Sequence, residues 1–92
     1  MIKNIVHKGL KRYFTQSDRS FLSAKDCPRI GRILDRLDAA VEVMDMNLPG
    51  YKLHKLSGDL KGFWSVTVSS NWRITFRFEN GDALDVNLED YH

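Results

Sequence analysis

From Trp64 to Asp90 the chain alternates apolar and polar residues with few interruptions. Trp64, Val66 and Val68 point one way and Ser65, Thr67 and Ser69 the other, as successive side chains of a strand must. Ser70-Asn71 has the length and residue types of a tight turn. Trp72, Ile74, Phe76 and Phe78 then alternate with Arg73, Thr75 and Arg77. Asn80-Gly81 follows, the dipeptide best suited to a hairpin turn in which both central residues need positive φ. Leu84, Val86 and Leu88 alternate with Asp85, Asn87 and Glu89. The pattern predicts a three-stranded antiparallel meander with one apolar and one polar face.

The period changes upstream. Ile30, Ile33, Leu34, Leu37, Ala40, Val41 and Met44 recur at three- and four-residue spacing, the stripe of an amphipathic helix. Asp26-Cys27-Pro28 is its expected start, with Asp26 as N-cap, and Leu48-Pro49-Gly50 its stop. Leu10, Tyr13 and Phe14 define a shorter helix over 8–16, and Met1 to His7 reads as a short first strand. Tyr51 to Gly62 fits no clean period and reads as an extended segment leading into a loop. Each inner strand residue can contribute about 1.5–3 kcal/mol if it is covered, and the helix stripe supplies the cover. The expected fold is α+β: a short N-terminal strand and two helices on one face of a small, mainly antiparallel sheet.

A length of 92 residues implies one domain spanning 1–92. With 42% hydrophobic and 28% charged residues, disorder is not expected. No apolar run reaches the roughly 18 residues that span a bilayer, and the Met-Ile-Lys start lacks a signal-peptide core, so a cytoplasmic protein without membrane contact is expected. The lone Cys27 fits a reducing compartment. Net charge is only +2, but 9 of the 14 Lys and Arg residues precede Asp38, against 3 of the 12 carboxylates. A basic first half attracts phosphate, although a solvated helix face has the same composition.

Chemistry is expected on the polar sheet face and at its end. Arg73 and Arg77 share one side of a strand about 13 Å apart, placed either to pair with Asp85, Asn87 or Glu89 or to present a planar fork to phosphate. His54 lies between Lys52 and Lys55 in a segment with no reason to bury an imidazole, and Asp90-Tyr91-His92 would add a carboxylate, a phenol and an imidazole. No His or Cys spacing supports a metal site, Cys27 has no neighbouring histidine, and no glycine-rich phosphate loop is present. This inventory suits metal- and cofactor-free RNA cleavage by the substrate's own 2′-hydroxyl: one group takes its proton, another protonates the leaving 5′-oxygen, and a cation stabilises the phosphate.

Leu56-Ser57-Gly58-Asp59-Leu60-Lys61-Gly62, Trp64-Ser65-Val66, Trp72-Arg73-Ile74-Thr75-Phe76 and the closing Asp90-Tyr91-His92 resemble the HigB toxins of the RelE superfamily over essentially the whole chain. The resemblance implies a RelE-like fold and a ribosome-dependent mRNA endonuclease acting in the A site. It also implies a HigA-like helix-turn-helix antitoxin as partner, with operator DNA bound through the complex. It assigns His54, Arg73, Asp90, Tyr91 and His92 to catalysis and Lys52, Lys55, Lys61 and Arg77 to RNA. The chain departs from relatives at Thr67, where a basic residue is common, and at Ser57, where some carry Lys, leaving Arg77 to compensate. The same surface would also suit a catalytically inactive nucleic-acid-binding module. A related toxin fold acting on a protein such as gyrase is the other alternative.

Overall fold

A computed structural model describes residues 1–90. Two helices, α1 (Lys8–Gln16) and α2 (Cys27–Ala39), pack on one face of a four-stranded antiparallel sheet of β1 (His54–Lys55), β2 (Trp64–Thr67), β3 (Trp72–Glu79) and β4 (Asp82–Asp90), in sequential order. Leu10, Ile30, Ile33, Leu34 and Leu37 from the helices meet Val66, Ile74, Phe76, Ala83 and Val86 from the sheet, each wholly or almost wholly buried. The α+β expectation therefore holds. The helices meet closely at Gly31, where an added Cβ would stand 2.8 Å from the Tyr13 hydroxyl. That hydroxyl donates to the Cys27 carbonyl at 3.0 Å.

The predicted elements need four corrections. First, α2 ends at Ala39, well short of Met44. Asp45 offers the backbone another partner, as acidic side chains near helix ends can. Its carboxylate accepts from the Val41 amide at 2.9 Å and from the Glu42 amide at 3.2 Å. Those hydrogen bonds also hold its pKa below the usual carboxylate value. A 3-10 turn over Val43–Met46 buries Met46, while Val41 and Met44 lie exposed. Asp26 stands at the N-cap position of α2 without a side-chain capping bond.

Second, among the described residues the N-terminal segment pairs with β4 through two isolated parallel bridges, Ile2 with Ala83 and Ile5 with Val86. Third, a short edge strand, β1, emerges from the segment read as extended, followed by a 3-10 turn over Gly58–Leu60. Fourth, Ala83 rather than Leu84 faces the core, because a bulge interrupts the β3–β4 register beyond Thr75 and shifts the alternation by one residue. At the bulge Asp85 takes a φ of 52°. Asn4 holds it there from both sides, donating to the Asp85 carboxylate at 2.8 Å and accepting from its amide at 2.9 Å. The Asn4 and Arg77 hydrogen bonds lower the Asp85 pKa.

His7 caps α1, its Nδ1 accepting the Leu10 amide at 3.0 Å. Burial lowers its pKa from 6.5. As pH falls through 6.5 the unfolded chain takes up a proton that the folded imidazole resists, so the stability His7 lends above 6.5 is lost on the acid side. Asparagine is a good N-cap that does not titrate. His7→Asn should flatten the change in urea midpoint across pH 6.5; equal pH dependence in the two proteins would refute this role.

Candidate active site

The face of the sheet away from the helices carries the polar half of the alternation. Register sets two rows across it. One runs His54, Ser65, Thr75, Asn87, and the next runs Thr67, Arg73, Glu89. His54 and Arg73 are thus two strands and two residues apart, roughly 12 Å between Cα atoms from strand spacing and rise, a gap that two long side chains can close onto one substrate group. Between them lies an open cleft of about 320 Å³ lined by Lys52, His54, Ser65, Thr67 and Arg73.

The donor set defines what this cleft can hold. Among the described residues its lining carries an ammonium, an imidazole, a guanidinium and two hydroxyls. An anion of phosphate type fits such a lining. Among the described residues no group of three or more His, Cys, Asp or Glu could hold a metal ion. Arg73 emerges from the second position of β3, half-buried, with its Nε shielded from solvent. A guanidinium partly withdrawn from water interacts more strongly with a bound anion than an exposed one. His54 and Lys52 are exposed on the facing wall, Lys52 with a φ of 51°.

The remaining predicted residues are not all in the cleft. Lys55 pairs with Trp64 in the register, so the pleat turns it to the other face from His54. Its ammonium stands 5.7 Å from the centre of the Trp64 ring. Lys61 is exposed at the end of the Gly58–Leu60 turn. Arg77 is engaged with Asp85 at 2.9 Å and Glu79 at 2.6 Å. Asp90 closes β4 opposite Trp72. Tyr91 and His92 lie outside the described residues.

For three residues near the cleft the structure supplies partners that alternation alone left open. Glu89, not Asp90, stands across from Arg73, and accepts the hydroxyl of buried Thr75 at 2.6 Å. Ser65, also buried, separates His54 from Thr75 in the row. Alternation put Ser65 and Glu89 on the polar face and left Glu89 as one of three possible partners of Arg73, and the register selects it. Arg29, on α2, donates to backbone carbonyls at the rim of the cleft; its position off the apolar stripe left open a solvated face or a contact surface for a partner.

Comparison with known proteins identifies the family. The family model for HigB-like toxins, described as the RelE-like toxin of type II toxin-antitoxin system HigB, matches residues 3–92. Endoribonuclease HigB of Proteus vulgaris is 51% identical over 92 residues, covering 100% of both chains. Toxin HigB-1 of Vibrio cholerae is 36% identical over 84 residues, covering 89% of this chain and 88% of the relative. The crystal structure of YafQ from E. coli superposes with a TM-score of 0.52 at 12% identity, covering 96% of this chain and 92% of YafQ, and shows the same fold.

The class is therefore that of RelE-like toxins. Within it, the chain belongs to the HigB-like toxin family of type II toxin-antitoxin systems, and that membership implies an antitoxin partner. No helix among the described residues is long and apolar enough to cross a membrane.

Proposed function

We propose that residues 1–92 form one toxin domain, an endoribonuclease that cuts mRNA in the ribosomal A site and so arrests translation in the cytoplasm. The observation that carries this reading is the convergence of His54, Lys52 and Arg73 on one cleft, in a chain 51% identical to a protein named Endoribonuclease HigB. In this reading Arg73 holds the scissile phosphate, and His54 and His92 share the proton transfers. A base takes the proton of the 2′-hydroxyl, whose oxygen bonds to phosphorus. The P–O5′ bond breaks, and the 5′-oxygen takes a proton from the acid, leaving a 2′,3′-cyclic phosphate and a 5′-hydroxyl. Asp90 orients or charges an imidazole, and Tyr91 packs on or hydrogen-bonds the base.

Lys52 is the RNA contact the cleft supports best; Lys55, Lys61 and Arg77 would reach RNA running beyond it. Thr67 gives the cleft a hydroxyl where relatives commonly carry a cation, so weaker phosphate stabilisation is expected. Control would come from a HigA-like helix-turn-helix antitoxin whose complex with the toxin binds operator DNA. Mapping mRNA ends on programmed ribosomes tests the proposal. New ends in phase with A-site codons, lost in His92→Ala, are expected. Intact mRNA with RNA still bound would indicate a binding module, and intact mRNA with inhibited gyrase a protein target.

A further inference from the structure

We infer that Arg29, which approaches from the helix layer, is a positioning residue for the cleft: it straps the loop carrying Lys52 and His54 to the end of β2. The inference rests on the ribonuclease reading of the cleft. Arg29 Nε and Nη2 donate to the Thr67 carbonyl at 3.1 and 2.9 Å, and Nη2 also donates to the Gly50 carbonyl at 2.6 Å. The guanidinium carbon stands 5.3 Å from the centre of the Tyr51 ring. The Thr67 amide completes the tie by donating to the Tyr51 carbonyl at 2.8 Å. One guanidinium thus clamps Gly50 and Tyr51 against Thr67, which itself lines the cleft.

The strap adds to Leu53 packing against the core and to the Leu56 amide donating to the Phe63 carbonyl at 2.9 Å, on a wall with a short ladder. β1 has two residues and two register pairs, His54 with Ser65 and Lys55 with Trp64, a short ladder at the sheet edge. Lys52, directly after the clamped pair, has a φ of 51°. A non-glycine residue keeps such a φ only where its surroundings hold it. A planar fork can serve two carbonyls from different segments while lying on a ring, and an ammonium cannot reproduce that geometry. Arg29 therefore sets the separation between the His54 wall and Arg73. A displacement of about 1 Å in such a spacing can cost roughly 100-fold in rate.

The test compares Arg29→Lys and Arg29→Ala with wild type, and uses Arg32→Ala, an exposed cation on the same helix, as the charge control. Single-turnover cleavage on programmed ribosomes should slow about 10- to 100-fold in both Arg29 variants. The ribosome concentration giving half-maximal rate should change less, and Arg32→Ala should match wild type. Independently of cleavage, the Thr67 amide should exchange faster and the His54 ring resonances should move in Arg29→Lys, with its thermal midpoint kept near that of wild type. Wild-type cleavage in Arg29→Lys, or an equal loss in Arg32→Ala, overturns the positioning role. Unchanged Thr67 exchange and His54 resonances overturn the strap itself. If wild type cuts no RNA, the ribonuclease reading fails, while the exchange and resonance comparison still decides whether Arg29 holds the loop.

Discussion

Replacing Arg73 with alanine is expected to slow mRNA cleavage about 100- to 1,000-fold while the fold and antitoxin binding persist. The size follows from where charge develops. As the 2′-oxygen bonds to phosphorus, negative charge concentrates on the non-bridging oxygens, and a donor already fixed at that point need not reorganise. Arg73 meets this requirement: it rises from a central strand, flanked in register by Thr67 and Glu89, with its Nε shielded from solvent. The strand is anchored from the other face by Ile74 and Phe76, both fully buried, so shortening a side chain on the polar face leaves the core untouched. Arg73→Lys should recover only part of the rate, because an ammonium restores the charge without the two-pronged geometry. Cleavage by Arg73→Ala at the wild-type rate would remove the guanidinium from the mechanism. Loss of the near-ultraviolet circular dichroism of the fold would instead show that its role is structural.

The features legible in the sequence are those fixed by local rules. The Asn80-Gly81 hairpin is one, since its turn requires positive φ at both residues. Asn80 has a φ of 53° and Gly81 a φ of 83°. The polar face is another, since the β2–β3 register keeps Ser65, Thr67, Arg73 and Thr75 on one side as their alternation requires. What could not be read depends on partners distant in sequence. The bulge at Asp85 is held by Asn4, 81 residues away, so nothing near Leu84 signals that the alternation shifts. Ala40, Val41 and Met44 continue the helical spacing, yet the Asp45 carboxylate captures the amides that would extend the helix. A strand as short as β1 has too few residues to show any period.

The site divides in the same way. Arg73 belongs to a long patterned strand, and its direction follows from alternation. His54 was placed beside it only by the β1–β2 register and by the anchoring of the loop before it. Lys52 and Lys55 flank His54 closely in sequence, yet Lys52, with its left-handed backbone before β1, lines the cleft while the pleat turns Lys55 to the Trp64 ring. Charge clusters in a sequence therefore overstate the cationic surface that one bound RNA can use.

His54→Ala is expected to lower the cleavage rate about 100- to 10,000-fold, the range for loss of a positioned acid or base, with a much smaller effect on ribosome binding. The structure adds a sharper expectation. His54 is exposed on the wall of an open cleft of about 320 Å³, and its removal leaves the side chains of Lys52, Ser65, Thr67 and Arg73 around a vacated imidazole position. Added imidazole should therefore enter and restore part of the rate, saturating with concentration and acting on His54→Ala but not on Arg73→Ala. Rescue specific to one variant distinguishes a proton carrier from a residue that merely shapes the wall, since a shaping role has no use for a free base. His54→Gln keeps the side chain polar but cannot carry the proton, and should remain as slow as alanine. Full activity in either variant would exclude His54 from proton transfer and shift that work to other groups at the cleft.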